Sequence, residues 1–446
     1  MLRITSVLLI WLSSAGIGLA QDPARIQAVM QSYVDAGNFA GSVLVARGSD
    51  VIVSTGYGLA SVEWGIPSAP GTRFKVASIT KQFTAAAILR LEERGRLRTT
   101  DLVKTHLPEA PPAWDGITIF HLLTHTAGFP GLQSPPAGRQ PPVESADGTI
   151  AGFVAALMKR PLESLPGDRF SYTNSGYFVL GHLIQKLTGQ TYEAFLRENF
   201  FAPLAMNDSG LDGAAVVARR AGSYTSTPSG LTHASYASDL VAPNAAAGLY
   251  STTEDLLRWQ NALYGGKVLS KASLDKMTTP FKGDYGLGVY VRPIEGRSAA
   301  THNGGAPPFA NLTYFFDSRV SVVVLGNVSP SPAPEIAGYL SALGHGDTVQ
   351  LFSEKKAITL APSVLARYAG VYEFGNGQTI TARMDGAQLA LQPAVGAALQ
   401  LLAESETRFF IRSANLVVDF VLDDAGHVTG FVMRQGTFQE RATRVK

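Results

Sequence analysis

The chain contains no cysteine, so covalent chemistry must rest on Ser, Thr, Lys or a carboxylate, and disulfides, zinc–thiolate sites and iron–sulfur clusters are excluded. The arrangement to look for is a serine beside a base. No Gly-x-Ser-x-Gly turn occurs, but Ser-x-x-Lys occurs three times, as Ser78/Lys81, Ser273/Lys276 and Ser353/Lys356. Context separates the three. Ser78 follows Arg73-Phe74-Lys75-Val76-Ala77 and opens a long apolar run, Ile79 to Leu89, in which residues three apart share one helix face. The amine of Lys81 can then reach the Ser78 hydroxyl, and apolar neighbours lower its pKa toward that of a usable base. A serine at a helix N-terminus also meets free N–H groups and a dipole that favour developing negative charge. Ser273/Lys276 falls in a short polar helix and Ser353/Lys356 in a linker, and both read as chance matches.

Two further triplets follow Ser78 in chain order: Tyr172-Thr173-Asn174 and His302-Asn303-Gly304, the latter just before Gly305. Taken singly, each has a plainer reading. Ser78 is then a helix cap with Lys81 in solvent, Tyr172 a loop tyrosine, Asn174 a cap before Ser175, and His302 a satisfied strand histidine. The joint, ordered occurrence, with gaps of 94 and 130 residues, overturns those readings. Over roughly residues 25 to 330 the chain resembles the serine β-lactamase and penicillin-binding-protein superfamily, in its class C β-lactamase-like branch, which also holds D-peptidases and esterases. The stretches His121-Leu122-Leu123-Thr124-His125-Thr126-Ala127-Gly128 and Gly248-Leu249-Tyr250-Ser251-Thr252 share in the resemblance.

The resemblance implies that Ser78 is the nucleophile, Lys81 its proton partner, and Tyr172 a proton relay acting as a phenolate held by neighbouring cations. It implies that Asn174 bonds the acyl side of the substrate and that His302, Asn303 and Gly304 lie on an edge strand beside the nucleophile. The backbone N–H groups of Ser78 and Gly305 would form the oxyanion hole, each worth about 3 kcal/mol in the transition state. Asn303 departs from the Thr or Ser usual at that place. His302 stands where dedicated β-lactamases commonly carry Lys, and an imidazole titrating near ~6.5 is mostly neutral at pH 7. Esters and D-amino-acid peptides therefore rank ahead of β-lactams, and preference for a carboxylate-bearing substrate should rise below about pH 6.5. A class C type β-lactamase remains the alternative, as does a binding protein that captures penicillins or cell-wall peptides without turnover. His121 and His125, four apart, raise a metallohydrolase reading, but no carboxylate accompanies them in the zinc pattern, and packing at a helix start is expected instead. No metal or organic cofactor is implied.

The elements that must position these residues come next. Of the 446 residues, 46% are hydrophobic and 16% charged, and Lys+Arg 37 against Asp+Glu 35 leaves a net charge of +2. Such a chain is globular and has no field to recruit nucleic acid or an anionic membrane. Residues 1–20 hold one cation, Arg3, an apolar run Val7 to Leu12 and small residues ending Gly18-Leu19-Ala20. That is the layout of a signal peptide, too short in its core to span a membrane, and it implies export to the periplasm or the medium. Gly41–Ala46 and Val51–Thr55 flank a turn at 47–50 as a β-hairpin. Helices are expected over Ile79–Arg94 closing at Gly95, over Ser175–Thr188 closing at Gly189, and from a capping box Ser251-Thr252-Thr253-Glu254 toward Leu263. The proline-rich loop 130–142 is long enough to line a site.

Strand signals return at Gly286–Val291, Leu312–Phe316 and Val320–Leu325, completing the first sheet. After Gly346, short β runs alternate with Asn376-Gly377, Asp385-Gly386, Asp423 to Gly426 and Gln435-Gly436 turns, with no helix. The reading is an α/β (α+β) transpeptidase-like catalytic domain over 21–346, an antiparallel sheet flanked by helices plus a helical region. A C-terminal all-β, lipocalin-like barrel follows over 347–446. The expected partner is a small ester, amide or D-amino-acid peptide.

Overall fold

The computed structural model describes residues 22–130, 149–227, 229–234, 245–305, 309–351, 354–375, 377–394, 398–412, 416–435 and 438–445. The leader 1–20, nearly all of the 130–142 loop and Ser353 lie outside them. No helix among the described residues is long and apolar enough to cross a membrane.

The catalytic-domain sheet is built from β1 (Gly41–Arg47), β2 (Asp50–Tyr57), β3 (Tyr290–Ile294), β4 (Arg297–Gly304), β5 (Ala310–Phe315) and β6 (Val320–Gly326). Its order is β3-β4-β5-β6-β1-β2, antiparallel throughout. The N-terminal hairpin thus joins the four later strands, as the sequence implies. The helices that flank the sheet and carry the site are α1 (Pro23–Asp35), α2 (Thr80–Glu93), α3 (Ile119–Leu123), α4 (Ser175–Thr188), α5 (Thr253–Tyr264) and α6 (Ala333–His345). Alternation along the strands divides the core. Val43, Val45, Val322, Val324 and Phe315 pack under α1 and α6, whereas Leu44, Leu312, Val323 and Leu325 face the side of α2 and α5.

Residues 80–89 of α2 are buried without interruption, because α2 is walled by helices as well as by the sheet. Phe83 stacks on Trp259 of α5 with ring centroids 3.9 Å apart, and Trp259 Nε1 donates to Gln82 Oε1 at 3.3 Å. A helix apolar all round belongs in an interior, and any polar side chain on it is carried into the core.

Several expectations need correction. The His302–Gly304 strand is not an edge strand, since β3 lies outside it. The ladder stops at Tyr290↔Thr301, however, so 302–304 run past the end of β3. The expected strand Gly286–Val291 begins only at Tyr290. Its glycines serve close approach instead, since a Cβ on Gly286 would lie 2.3 Å from the Met277 carbonyl and one on Gly288 (φ +76°) 2.5 Å from the Lys81 carbonyl. The cap of α5 is Thr252 rather than Ser251, accepting from the Asp255 N–H. Helix α6 carried no sequence signal that we recognised.

Strands β7 (Gly370–Phe374), β8 (Thr379–Asp385), β9 (Gln388–Pro393), β10 (Leu399–Ala403), β11 (Arg408–Ile411), β12 (Leu416–Leu422), β13 (Val428–Gln435) and β14 (Phe438–Arg444) close into a barrel. A short helix at Pro362–Leu365 and a 3₁₀ turn at Ala366–Tyr368 precede it, against the expectation of no helix. Tyr368, Tyr372, Phe409, Phe420 and Phe431 are buried together in its core, Phe420 lying 4.5 Å from Tyr368 and 5.5 Å from Phe409 by ring centroids.

The strap at Gly288 makes a direct prediction. In Gly288→Ala the new methyl meets the Lys81 carbonyl on a backbone that L side chains avoid, so unfolding free energy should drop by about 2–4 kcal/mol. A urea midpoint unchanged from wild type would mean that the strap relaxes freely.

Candidate active site

Ser78 sits on a single 3₁₀ turn, Ala77–Ile79, immediately before α2. Three contacts pin that turn. The Val76 N–H donates to Leu249 O at 2.9 Å, the Leu249 N–H donates to Thr80 Oγ1 at 3.1 Å, and a Cβ on Gly304 would lie 2.4 Å from the Val76 carbonyl. Only glycine at 304 lets β4 approach this closely. Ala77 holds φ +45°, a left-handed conformation that costs a non-glycine residue free energy and recurs at functional turns.

One helical turn on, Lys81 is 0% exposed. Its Nζ lies 3.1 Å from Ser78 Oγ and donates to Asn174 Oδ1 at 2.7 Å and to Ala246 O at 2.9 Å. Burial drives its pKa well below that of an ordinary lysine, because an ammonium loses its hydration there. The partner set suits a neutral amine, whose two N–H groups go to the two carbonyl oxygens and whose lone pair is left facing the Ser78 hydroxyl. Asn174 was expected to bind substrate. Its carbonyl end is spent on Lys81, and its side chain does not cap α4.

Tyr172 is 39% exposed, yet its ring packs against His125 (4.3 Å between centroids), Tyr285 (6.1 Å) and His302 (6.1 Å), with Lys81 Nζ 4.9 Å from its centroid. This desolvation pushes the phenol above its ordinary value, and a hydrogen bond with Ser78 only partly opposes the shift. The shift is away from the expected resting phenolate and toward a protonated phenol, and the nearby Lys81 amine, itself shifted toward neutrality, does little to oppose it.

His302 is 2% exposed. Its Nδ1 lies 2.7 Å from the Asn303 carbonyl, which can only accept, so the proton sits on Nδ1. Its Nε2, 3.1 Å away, accepts from the Tyr285 hydroxyl. Burial, the largest cause, lowers its pKa to about 3. The expected titration near pH 6.5 is thus overturned. Asn303 points away from His302, its Oδ1 accepting from Asn311 Nδ2 at 2.7 Å on the sheet face covered by α1 and α6. Gly305 follows the last paired residue of β4, and its N–H and that of Ser78 have no backbone acceptor among the described residues.

Of the predicted residues the structure brings Ser78, Lys81, Tyr172, Asn174 and His302 into one cluster. Asn303 turns out of it, and Gly304 acts through backbone contact. Ser273 lies remote on a helix whose Lys276 pairs with Glu92. His121 Nδ1 accepts from the Thr118 N–H in a reciprocal cap of α3, and among the described residues no cluster of three metal-ligating side chains forms. The Ala246 carbonyl and Tyr285 have no part in the sequence reading, and His125 enters it only as a metal-ligand candidate or a packing residue at a helix start. The first has no side-chain signature, and the other two are functional only through contacts across long stretches of chain.

A family model described as Beta-lactamase matches residues 26–345, and one described as a domain of unknown function, DUF3471, matches 354–446. Penicillin-binding protein 4* of Bacillus subtilis is 28% identical over 452 residues, covering 95% of this chain and 98% of that protein. Among solved structures, the octameric penicillin-binding protein homologue from Pyrococcus abyssi superposes with a TM-score of 0.67 at 24% identity, over 95% of this chain and 100% of that one. EstCE1, a hydrolase with promiscuous acyltransferase activity, gives 0.62 at 23% over 72% and 98%. The D-amino acid amidase from Ochrobactrum anthropi SV3 gives 0.59 at 22% over 68% and 91%. Taken with the Ser78–Lys81 pair at the head of a buried helix, these matches establish that the chain belongs to the β-lactamase and penicillin-binding-protein superfamily.

Proposed function

We propose that this protein is an exported serine hydrolase that cleaves neutral esters or amides, of esterase or D-amino-acid peptidase type, through an acyl-enzyme on Ser78. The observation that carries the reading is the dry Lys81 amine, 3.1 Å from Ser78 Oγ with its other partners fixed. In acylation the Oγ–H proton passes to the Nζ lone pair while Oγ bonds the acyl carbon. The N–H groups of Ser78 and Gly305 receive the developing oxyanion. The proton then moves from Nζ through the Tyr172 hydroxyl to the leaving oxygen or nitrogen as that bond breaks. A protonated phenol suits this role, since it can pass one proton on as it takes another. Water repeats the steps in reverse order to release the acid.

Substrate charge follows from His302. A neutral imidazole fixed by Tyr285 and Asn303 offers a carboxylate no cation, which ranks neutral substrates ahead of β-lactams. The fold shared with EstCE1, a hydrolase with promiscuous acyltransferase activity, and with the D-amino acid amidase supports hydrolysis by acyl transfer, amides included. Export rests on the signal-peptide layout of residues 1–20.

A fluorophosphonate should add one phosphonyl group to the wild-type protein and to Ser273→Ala but none to Ser78→Ala, as read by intact mass; label persisting in Ser78→Ala would refute the nucleophile. Turnover of a neutral ester should continue beyond one equivalent, whereas a single burst without a steady state would favour the binding-protein reading. Because His302 ionises only near pH 3, the kcat/KM ratio of an anionic cephalosporin to a neutral ester should stay flat between about pH 8 and about pH 5. A rise below pH 6.5 would show that the imidazole titrates freely.

A further inference from the structure

We propose that His125 is a positioning residue for Tyr172, gripping the backbone on both sides of the tyrosine so that its hydroxyl stays on Ser78. The inference rests on the proton-transfer role given to Tyr172 above. His125 follows α3 in a left-handed conformation, φ +56°. Its carbonyl accepts from the Ser171 N–H at 2.8 Å, and its Nδ1 accepts from the Thr173 N–H at 3.3 Å. These are the residues on either side of Tyr172. Between the two bonds the imidazole lies against the Tyr172 ring, 4.3 Å from centroid to centroid, with Tyr285 at 4.7 Å and Tyr177 at 5.1 Å.

Packing alone does not account for a histidine here. Accepting at Nδ1 places the ring hydrogen on Nε2, and Nε2 has no hydrogen-bond partner among the described residues although the side chain is only 2% exposed. A buried N–H without an acceptor costs free energy that a phenylalanine in the same aromatic box would avoid. What phenylalanine cannot supply is the acceptor for the Thr173 amide. The histidine therefore gives up one polar group to hold the other. A tyrosine that is 39% exposed at the site needs such an anchor, because proton transfer demands hydrogen-bond reach and small displacements are expensive.

The test compares leaving groups. An alkyl ester and a nitrophenyl ester of the same acid differ in their need for a proton on departure, so losing the shuttle harms the first far more, whereas general damage to the fold harms both alike. Tyr172→Phe should show this discrimination in kcat/KM. His125→Phe, which keeps a ring but no acceptor, should show it too, with an extra loss of about tenfold or more on the alkyl ester. His125→Asn, which keeps an acceptor and tolerates the left-handed backbone, should stay near the wild-type ratio and serves alone if the Phe variant does not fold. The double variant His125→Phe/Tyr172→Phe should be no worse than Tyr172→Phe. Equal losses of His125→Phe on both esters, additive losses in the double variant, or a His125→Asn ratio like that of Tyr172→Phe would overturn the clamp while leaving the tyrosine's role intact. A Tyr172→Phe variant without leaving-group dependence would overturn the shuttle itself, and the clamp with it.

Discussion

An amine with no access to water organises this domain. Lys81 lies at 0% exposure, where burial works against its charge and each of its polar directions must be met, and the surrounding structure supplies both conditions. Helix α2 is buried from all sides, which takes the side chain out of solvent. Asn174, delivered by the start of α4, and the Ala246 carbonyl, delivered by the segment leading to α5, take its hydrogens. The Gly288 strap covers the Lys81 backbone, and the 3₁₀ turn sets Ser78 against the one direction left. A charged lysine in the same place would need a carboxylate partner, and then it could not serve as a base.

The sheet serves the same end at one remove. Strand β4 reaches past β3, and its last residues lie against the Val76 carbonyl because residue 304 has no side chain. The approach brings His302 under Tyr285 and leaves Gly305 one residue beyond the ladder. The site is thus assembled where a helix N-terminus, a strand end and two loops converge. Catalytic groups from four distant stretches of the chain need such a junction.

Much of this was legible in the amino-acid sequence, and what was not has physical reasons. Ser78 and Lys81 stand out because a serine three residues before a lysine opens a long apolar run, whereas Tyr172 and His302 enter only through the ordered motifs that the resemblance rests on. The boundaries of α4 could be read from its left-handed glycine stop at Gly189. The protonation states of Tyr172 and His302 could not, because they depend on desolvation by rings that come from residues 125, 285 and 290. The contact of Asn174 with a lysine 93 residues away could not be read, because spacing does not say where a side chain points. The Gly286–Gly288 stretch looked like a strand because apolar residues alternate with glycines there, and only the approach of α2 shows what those glycines are for.

The two buried imidazoles have a consequence for the environment in which the protein can persist. His302 accepts a proton only near pH 3, and His125, under the same burial, likewise sits well below the ordinary imidazole value. In the unfolded chain both would protonate near ~6.5. Their folded pKa values are depressed, so the stability they contribute is complete above that value and is withdrawn as the medium acidifies toward the folded pKa. Below pH 6.5, acid rewards unfolding with protons that the native interior refuses. The dryness that keeps the site's bases neutral is therefore also an acid limit on the fold.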